Sequence, residues 1–357
     1  MPQIFPKFYP QNLVTVAVDF IEQILLYIFG NQFVVDCIFK FIGIGAILGI
    51  ISIAAMIFTY EERKVCAFMQ KRIGPNRVGP YGLLQSMADT LKLMTKEDII
   101  PLGCDRVVWA LAPMLLFAPS ALIYAFYTFD DGVALADVNI GLFLLLAISS
   151  QAVLPFLMGG YASNSKYAMI GGMRTVAQMI SYEAPMAFSL LGVVMITGSM
   201  NMGEIVRMQG ELPWFVFLQP IAFVIYIISA TAETNRTPFD LVEDESEIVA
   251  GPFTEYSGMR WALFFMAEYA NLLSVSIIAT TLFLGGWQGP ILPAPVWFWG
   301  KVFVMVFLFM WFRWTFPRTR VDQLLEFSWK ILLPLALVNL LITGVGVYSF
   351  KEFLASF

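Results

Sequence analysis

The sequence predicts an all-α polytopic membrane protein with about eight transmembrane helices, on three observations: composition, the lengths of the apolar runs and the placement of the basic residues. Of 357 residues, 59% are hydrophobic and 13% charged, and the mean hydropathy is +0.75, far from the balance of a soluble domain. A spanning helix needs about 20 apolar residues. Runs of that kind cover 38–60, 107–127, 140–160, 176–198, 214–232, 261–284, 296–316 and 331–350. All Lys and Arg except Lys7, Lys40, Arg207, Lys301 and Lys351 lie in or beside four connecting segments, 61–106, 161–175, 233–260 and 317–330. By the positive-inside rule these long loops are cytoplasmic (or matrix) and both termini lie outside.

In chain order, residues 1–37 form an N-terminal extension, 38–350 the membrane domain and 351–357 a C-terminal tail. Pro2, Pro6 and Pro10, with no small-residue cleavage site after a short apolar core, argue against a removable signal peptide. Within the extension Val14, Val18, Ile21, Leu25 and Ile28 recur at helical spacing beside Asp19, Glu22 and Gln23. That pattern favours an interfacial helix over a ninth span. Gly43, Gly45 and Gly49 of the first run follow no strand, so close helix packing explains them better than nucleotide binding.

The first loop carries Glu61-Glu62-Arg63-Lys64 and a Gly/Pro-rich segment, Gln70 to Gly82, that turns tightly but lacks the Lys-Ser/Thr pair of a phosphate loop. Leu83, Leu84, Met87, Leu91 and Met94 then share one helical face and Gln85, Ser86, Asp89 and Lys92 the other. This amphipathic helix reads either as a lid packed on the protein or as the border of an entrance for a membrane-soluble ligand. Pro113, Pro119, Pro155, Pro185, Pro220 and Pro334 lie inside apolar runs and predict kinks, or clustered openings onto one cavity. The second loop is short and polar-small, with Lys166 and Arg174.

The third loop is the most informative. Thr237 offers an N-cap, Pro238 a first helical position and Gly251-Pro252 a stop, predicting a helix over 238–250 with Asp240, Glu243, Asp244 and Glu247 on one face and Glu245 on another. Glu233 precedes it and Glu255 follows. The acids form either a solvated loop or a partly buried cluster. Glu183 and Glu268 lie inside predicted spans, where an acid is costly unless paired or facing a wet cavity and so marks an ion or proton path. Around the fourth loop Arg313, Arg318, Arg320, Asp322 and Glu326 suit charge pairing at the membrane edge, or docking of a soluble partner.

The absence of histidine excludes His-ligated haem or metal and Ser-His or Cys-His pairs, and Cys37, Cys66 and Cys104 are too scattered for an iron–sulfur cluster or a disulfide framework. We therefore expect no metal and no cofactor bound by this chain, and no basic patch points to nucleic acid. Proton chemistry is left to carboxylates, Lys, Tyr or water.

Glu62-Arg63-Lys64, the segment Gln70 to Gly82, the run Tyr161 to Tyr167, Ser181-Tyr182-Glu183, Ala232 through Glu247 and Ala267-Glu268-Tyr269 together resemble, in order, the NuoH family, NADH dehydrogenase subunit 1. The likeness covers roughly 38–349. It implies an eight-span subunit of proton-pumping NADH:quinone oxidoreductase, respiratory complex I, that forms much of the quinone chamber and couples quinone reduction to proton translocation. It further implies a proton path through Glu183, Glu233 and Glu268 and through the acidic loop Asp240, Glu243, Glu245, Glu247 and Glu255. Arg63, Arg72 and Arg236 match positions at the quinone chamber or its entrance, and Arg174, Arg313 and Arg318 match the subunit interface. By the same resemblance FMN and the iron–sulfur clusters belong to partner subunits, and a Tyr or His ligand for the quinone headgroup to a soluble one. Small membrane subunits and antiporter-like subunits complete the partners. Asp244 and residues 1 to about 35 depart from the family pattern, and no role is carried to them. The alternatives are a membrane subunit of an energy-converting hydrogenase and a stand-alone proton-coupled transporter. The extended N-terminus favours a bacterial inner membrane over a mitochondrial one.

Overall fold

The computed structural model describes residues 26, 30–130, 133–134, 136–241, 248–290 and 293–355. Among them seven helices are long and apolar enough to cross a membrane, and one shorter apolar helix accompanies them. The chain is an all-α multi-pass membrane protein.

Helix α1 (Gln32–Met69) starts where the Asn31 side chain accepts from the Phe33 amide at 3.1 Å. Its 38 residues reach about 57 Å at 1.5 Å each, nearly twice the roughly 30 Å hydrocarbon core. Residues 61–69, expected in a loop, therefore continue the helix, because no Gly or Pro interrupts them before Gly74 and Pro75. Gly45 and Gly49, expected at a close helix contact, face open space within this chain, since the described neighbours of α1 pack beyond them. A tight turn at Pro80–Gly82 leads into α2 (Gln85–Thr95). Here the polar face points inward: Ser86 donates to the Met56 carbonyl at 2.9 Å and Asp89 accepts from Arg63 at 2.6 Å. Leu83, Leu84, Met87, Leu91 and Met94 are exposed, so the apolar face is not packed on the chain as a lid would be.

Helix α3 (Arg106–Leu122) is capped by Asp105 and passes through Pro113 and Pro119 without breaking. A short antiparallel hairpin, β1 (Thr128–Asp130) with β2 (Val133–Ala134), follows. Helices α4 (Gly141–Ser149) and α5 (Val153–Ala162), joined by a 3-10 turn, make one span. Helix α6 (Lys166–Thr197) begins ten residues before the predicted run, so the expected loop 161–175 shrinks to 163–165. The small residues that looked like a loop are a packing surface: a Cβ on Gly171 would lie 2.5 Å from the Gly251 Cα, and one on Gly172 would lie 2.9 Å from the Phe156 carbonyl.

Helix α7 (Met202–Glu211), capped by Asn201, precedes a run expected to span once. That run is broken into α8 (Phe215–Leu218) and α9 (Pro220–Glu233). Pro220 lacks an amide hydrogen and so starts a helix rather than continuing one. Gln219 sits at the break and is held from α13 (Leu333–Ala355): its amide donates to Thr343 at 2.8 Å and its oxygen accepts from Asn339 at 2.9 Å. Helices α10 (Gly258–Phe283) and α11 (Ala294–Thr315) follow, then α12 (Val321–Phe327), which enters α13 through a π turn at Ser328–Leu332. The expected loop 317–330 is thereby reduced to 316–320. Lys301 crosses from α11 to the end of α10, donating to the carbonyls of Leu284, Gly286 and Gln288 at 2.6, 3.0 and 2.7 Å.

Helix α10 is the axis of the bundle. Its most apolar stretch is 72% buried inside the protein, against 17% for α1, and α3, α11 and α1 pack around it. Helix α6 gathers α5, α9 and α13 on the other side.

The predicted helix over 238–250 does not start at Pro238. The described parts, 238–241 and 248–250, are turn and irregular chain, and the Pro238 carbonyl accepts from the Thr319 amide (3.0 Å) and hydroxyl (2.9 Å) and is unavailable to a helix. Phe239 and Leu241 are meanwhile buried with Tyr182 and Leu324. Glu243, Asp244, Glu245 and Glu247 lie outside the described residues, as does the run 13–29 apart from Leu26.

Replacing Gly171 with Ala should destabilise the protein by about 1–3 kcal/mol through overpacking, visible as a lower melting temperature in detergent. Gly45→Ala should leave it unchanged.

Candidate functional site

Where α1 overshoots and α10 begins, four charged side chains alternate in sign. Glu62 of α1 is 5% exposed and Arg236, in the turn after α9, is 1% exposed. The Arg236 guanidinium is 3.2 Å from Glu62 and 3.6 Å from Glu268 of α10, while Arg313 of α11 is 2.8 Å from Glu62 and 3.6 Å from Glu268. Tyr269 closes the ring by donating to Glu62 at 2.9 Å and placing its face 5.4 Å from the Arg236 guanidinium. Two acids and two bases make a neutral set, which is what permits their burial. Two of the nitrogens of Arg236, Nε and Nη1, are buried with no hydrogen-bond partner among the described residues.

The ring walls a chamber of about 550 Å³, lined also by Thr59, Arg63, Cys66, Arg72, Phe265 and Trp314. Three further cavities share residues with it. One of about 230 Å³, mostly apolar, opens between α1, α2 and α10 beside Met56, Leu93, Ala262 and Phe265. Another of about 660 Å³ runs past Arg313 and Trp314 to Asp240 and Arg318, which pair at 3.0 Å. Beyond Glu268 a cavity of about 20 Å³ leads to Glu233 at the end of α9.

The expected site residues are thus only partly gathered. Glu268, Arg63 and Arg72 line the large chamber, and Arg313, expected at an interface, lines it too. Arg236 stands behind that wall, held against Glu62 and Glu268. Arg63 is engaged by Asp89 and Arg72 by Gln70. Glu233 and Glu183, both half-buried, continue inward, with Ser149 beside Glu233. Asp240 is buried against Arg318 rather than aligned with other acids. Glu255, half-buried in the turn before α10, lines none of these cavities. Arg174 is half-buried on α6 and lines none of them either.

Two members of the ring, Glu62 and Tyr269, were not among the sequence-derived candidates. Glu62 was hidden by ending the first helix at residue 60. Continued, the helix puts Thr59, Glu62 and Cys66 on one face at spacings of three and four, and all three line the chamber.

Fold and site define a polytopic α-helical membrane protein that holds a large chamber at one end of its bundle and leads acids from it inward. Comparison with known proteins is consistent with this. Residues 42–344 match the family described as NADH dehydrogenase. The chain is 52% identical over 301 residues to a Dehalococcoides mccartyi (strain CBDB1) protein, covering 84% of this chain and 85% of that one. It is 51% identical over 314 residues to one from Geobacillus kaustophilus (strain HTA426), covering 85% and 93%. A Carboxydothermus hydrogenoformans protein is 47% identical over 322 residues, covering 89% and 92%. All three relatives are named as the same subunit of NADH-quinone oxidoreductase. The chain belongs to the NADH dehydrogenase family.

Because Arg236 neutralises two acids, Arg236→Met should cost about 3–5 kcal/mol by leaving buried charge uncompensated. Tyr269→Phe, which removes one hydrogen bond to a charged group, should cost about 1.5–3 kcal/mol. Melting of the purified variants reads this order.

Proposed function

We propose that this chain is the subunit of NADH:quinone oxidoreductase, multi-pass in a bacterial inner membrane with the chamber end cytoplasmic, that houses the quinone and couples its reduction to proton translocation. The observation that carries the reading is the chamber itself: an acid–arginine ring on one wall, an adjoining apolar cavity between α1, α2 and α10, and a small cavity that joins Glu268 to Glu233. Identity at 47–52% to relatives named as a NADH-quinone oxidoreductase subunit, along most of each chain, supports the quinone enzyme over a stand-alone transporter.

Quinone reduction takes two electrons and two protons, and FMN and iron–sulfur clusters in partner subunits would supply the electrons. The residues of this chain house the quinone and carry protons. The apolar cavity between α1, α2 and α10 admits a hydrophobic tail, and the exposed apolar face of α2 seats that opening in lipid. Arg63 and Arg72 on the chamber wall orient a polar headgroup and stabilise negative charge that develops on it. New charge in the chamber is felt first by the ring, where Glu268 is held by two arginines at 3.6 Å. A proton shift at Glu268 is then passed to Glu233 and Glu183, as intramembrane acids do in proton relays. The larger cavity past Asp240 and Arg318 faces a soluble partner.

Leu93→Trp, filling the apolar cavity, should raise the apparent KM for quinone several-fold while leaving kcat near normal; an unchanged KM would show that this is not the way in. Glu268→Gln in the assembled complex should lower coupled turnover, and normal pumping would remove it from the path. Mild purification through a tag on this chain should recover the other subunits, and a lone stable protein would overturn the assignment.

A further inference from the structure

The cavity between Glu268 and Glu233 measures about 20 Å³, room for one water molecule and little more. Phe156, Phe253, Phe264 and Leu116 form its apolar walls. Its polar lining is specific. The Oε2 of Glu233 is sealed from solvent without a hydrogen-bond partner among the described residues, an arrangement that is costly for a buried acceptor unless a water satisfies it. Asn271 follows Glu268 by three residues on α10 and so sits on the same face, one turn further along. It lines the cavity, and its amide makes no hydrogen bond to another described residue. Asn235 is already oriented: its oxygen accepts from Gln178 at 3.2 Å, and Gln178 is in turn anchored on the Ala232 carbonyl at 2.7 Å. The Asn235 amino group is left for the cavity. A water there finds carboxylates on two sides and amides on the others, within the two to four partners a buried water needs.

We propose that Asn271 positions a single water between Glu268 and Glu233, making that water the proton link from the chamber ring to the buried acids. The inference rests on the function proposed above. In the step, the water accepts a proton from Glu268 and releases another to Glu233, emerging unchanged. Asn271 is a positioning residue and does not itself take a proton.

The test uses the assembled complex in native membrane vesicles. Asn271→Leu keeps the size of the side chain but offers no polar atom, and should lower coupled quinone reduction and proton pumping about tenfold, with a larger solvent deuterium isotope effect. Asn271→Thr, smaller but able to hydrogen-bond, should recover most of both. A packing role predicts the reverse order, so Asn271→Leu at wild-type pumping, or Asn271→Thr no better than Asn271→Leu, overturns the proposal. Should Asn271→Leu fail to assemble, Asn271→Ala replaces it, and an unchanged isotope effect there overturns the proposal as well. Glu233→Gln and Glu268→Gln are run in parallel. If they are impaired while Asn271→Leu is normal, only the water link fails; if both are also normal, the proton-coupling function itself fails.

Discussion

Burying charge in a membrane protein is tolerable when the charges neutralise one another at close range, and in this chain that condition is met by Glu62, Arg236, Glu268 and Arg313, paired at 2.8 to 3.6 Å. Each comes from a different element: α1, the turn after α9, α10 and α11. The ring therefore ties helices together and shapes the chamber. It holds the overshooting end of α1 against the axial helix α10, and it makes one wall of the chamber charged but neutral overall. Remove the pairing and neither the wall nor the helix arrangement has a reason to persist.

The same logic holds at two other polar positions of the interior. Lys301 is accepted within α11 because three carbonyls at the end of α10 receive it. At the break at Gln219 and Pro220, Asn339 and Thr343 of α13 satisfy the buried side-chain amide of Gln219. Glu233 departs from that pattern with one oxygen sealed and without a partner among the described residues. That oxygen belongs to a carboxylate lining the small cavity beside Glu268.

Much of the fold was legible in the chain. The eight apolar runs became seven spanning helices and a broken eighth, with the break at Pro220, one of the prolines expected to kink or open a helix. The amphipathic helix appeared within about two residues of 83–94. What misled were segments whose composition looked like loop but whose packing made helix. Residues 61–69 carry charges and residues 161–175 are small and polar, yet Glu62 is paired and Gly171 and Gly172 lie against neighbouring backbone. In the same way Thr237 to Asp240 has the signals of a helix start, but Thr319 takes the Pro238 carbonyl and Arg318 takes Asp240.

Composition and run length by themselves determined that this is a multi-pass helical membrane protein, because only a helix satisfies its own backbone in lipid. The depth of Glu183 and Glu268 marked them as costly and hence as candidates, and the lack of histidine confined proton chemistry to such groups. Which acids share a cavity, and which arginine neutralises which acid, only the tertiary structure decided. Glu62 and Arg236 stand 174 positions apart and meet at 3.2 Å. No local pattern encodes that distance, since it results from α1 and α9 packing about the same central helix.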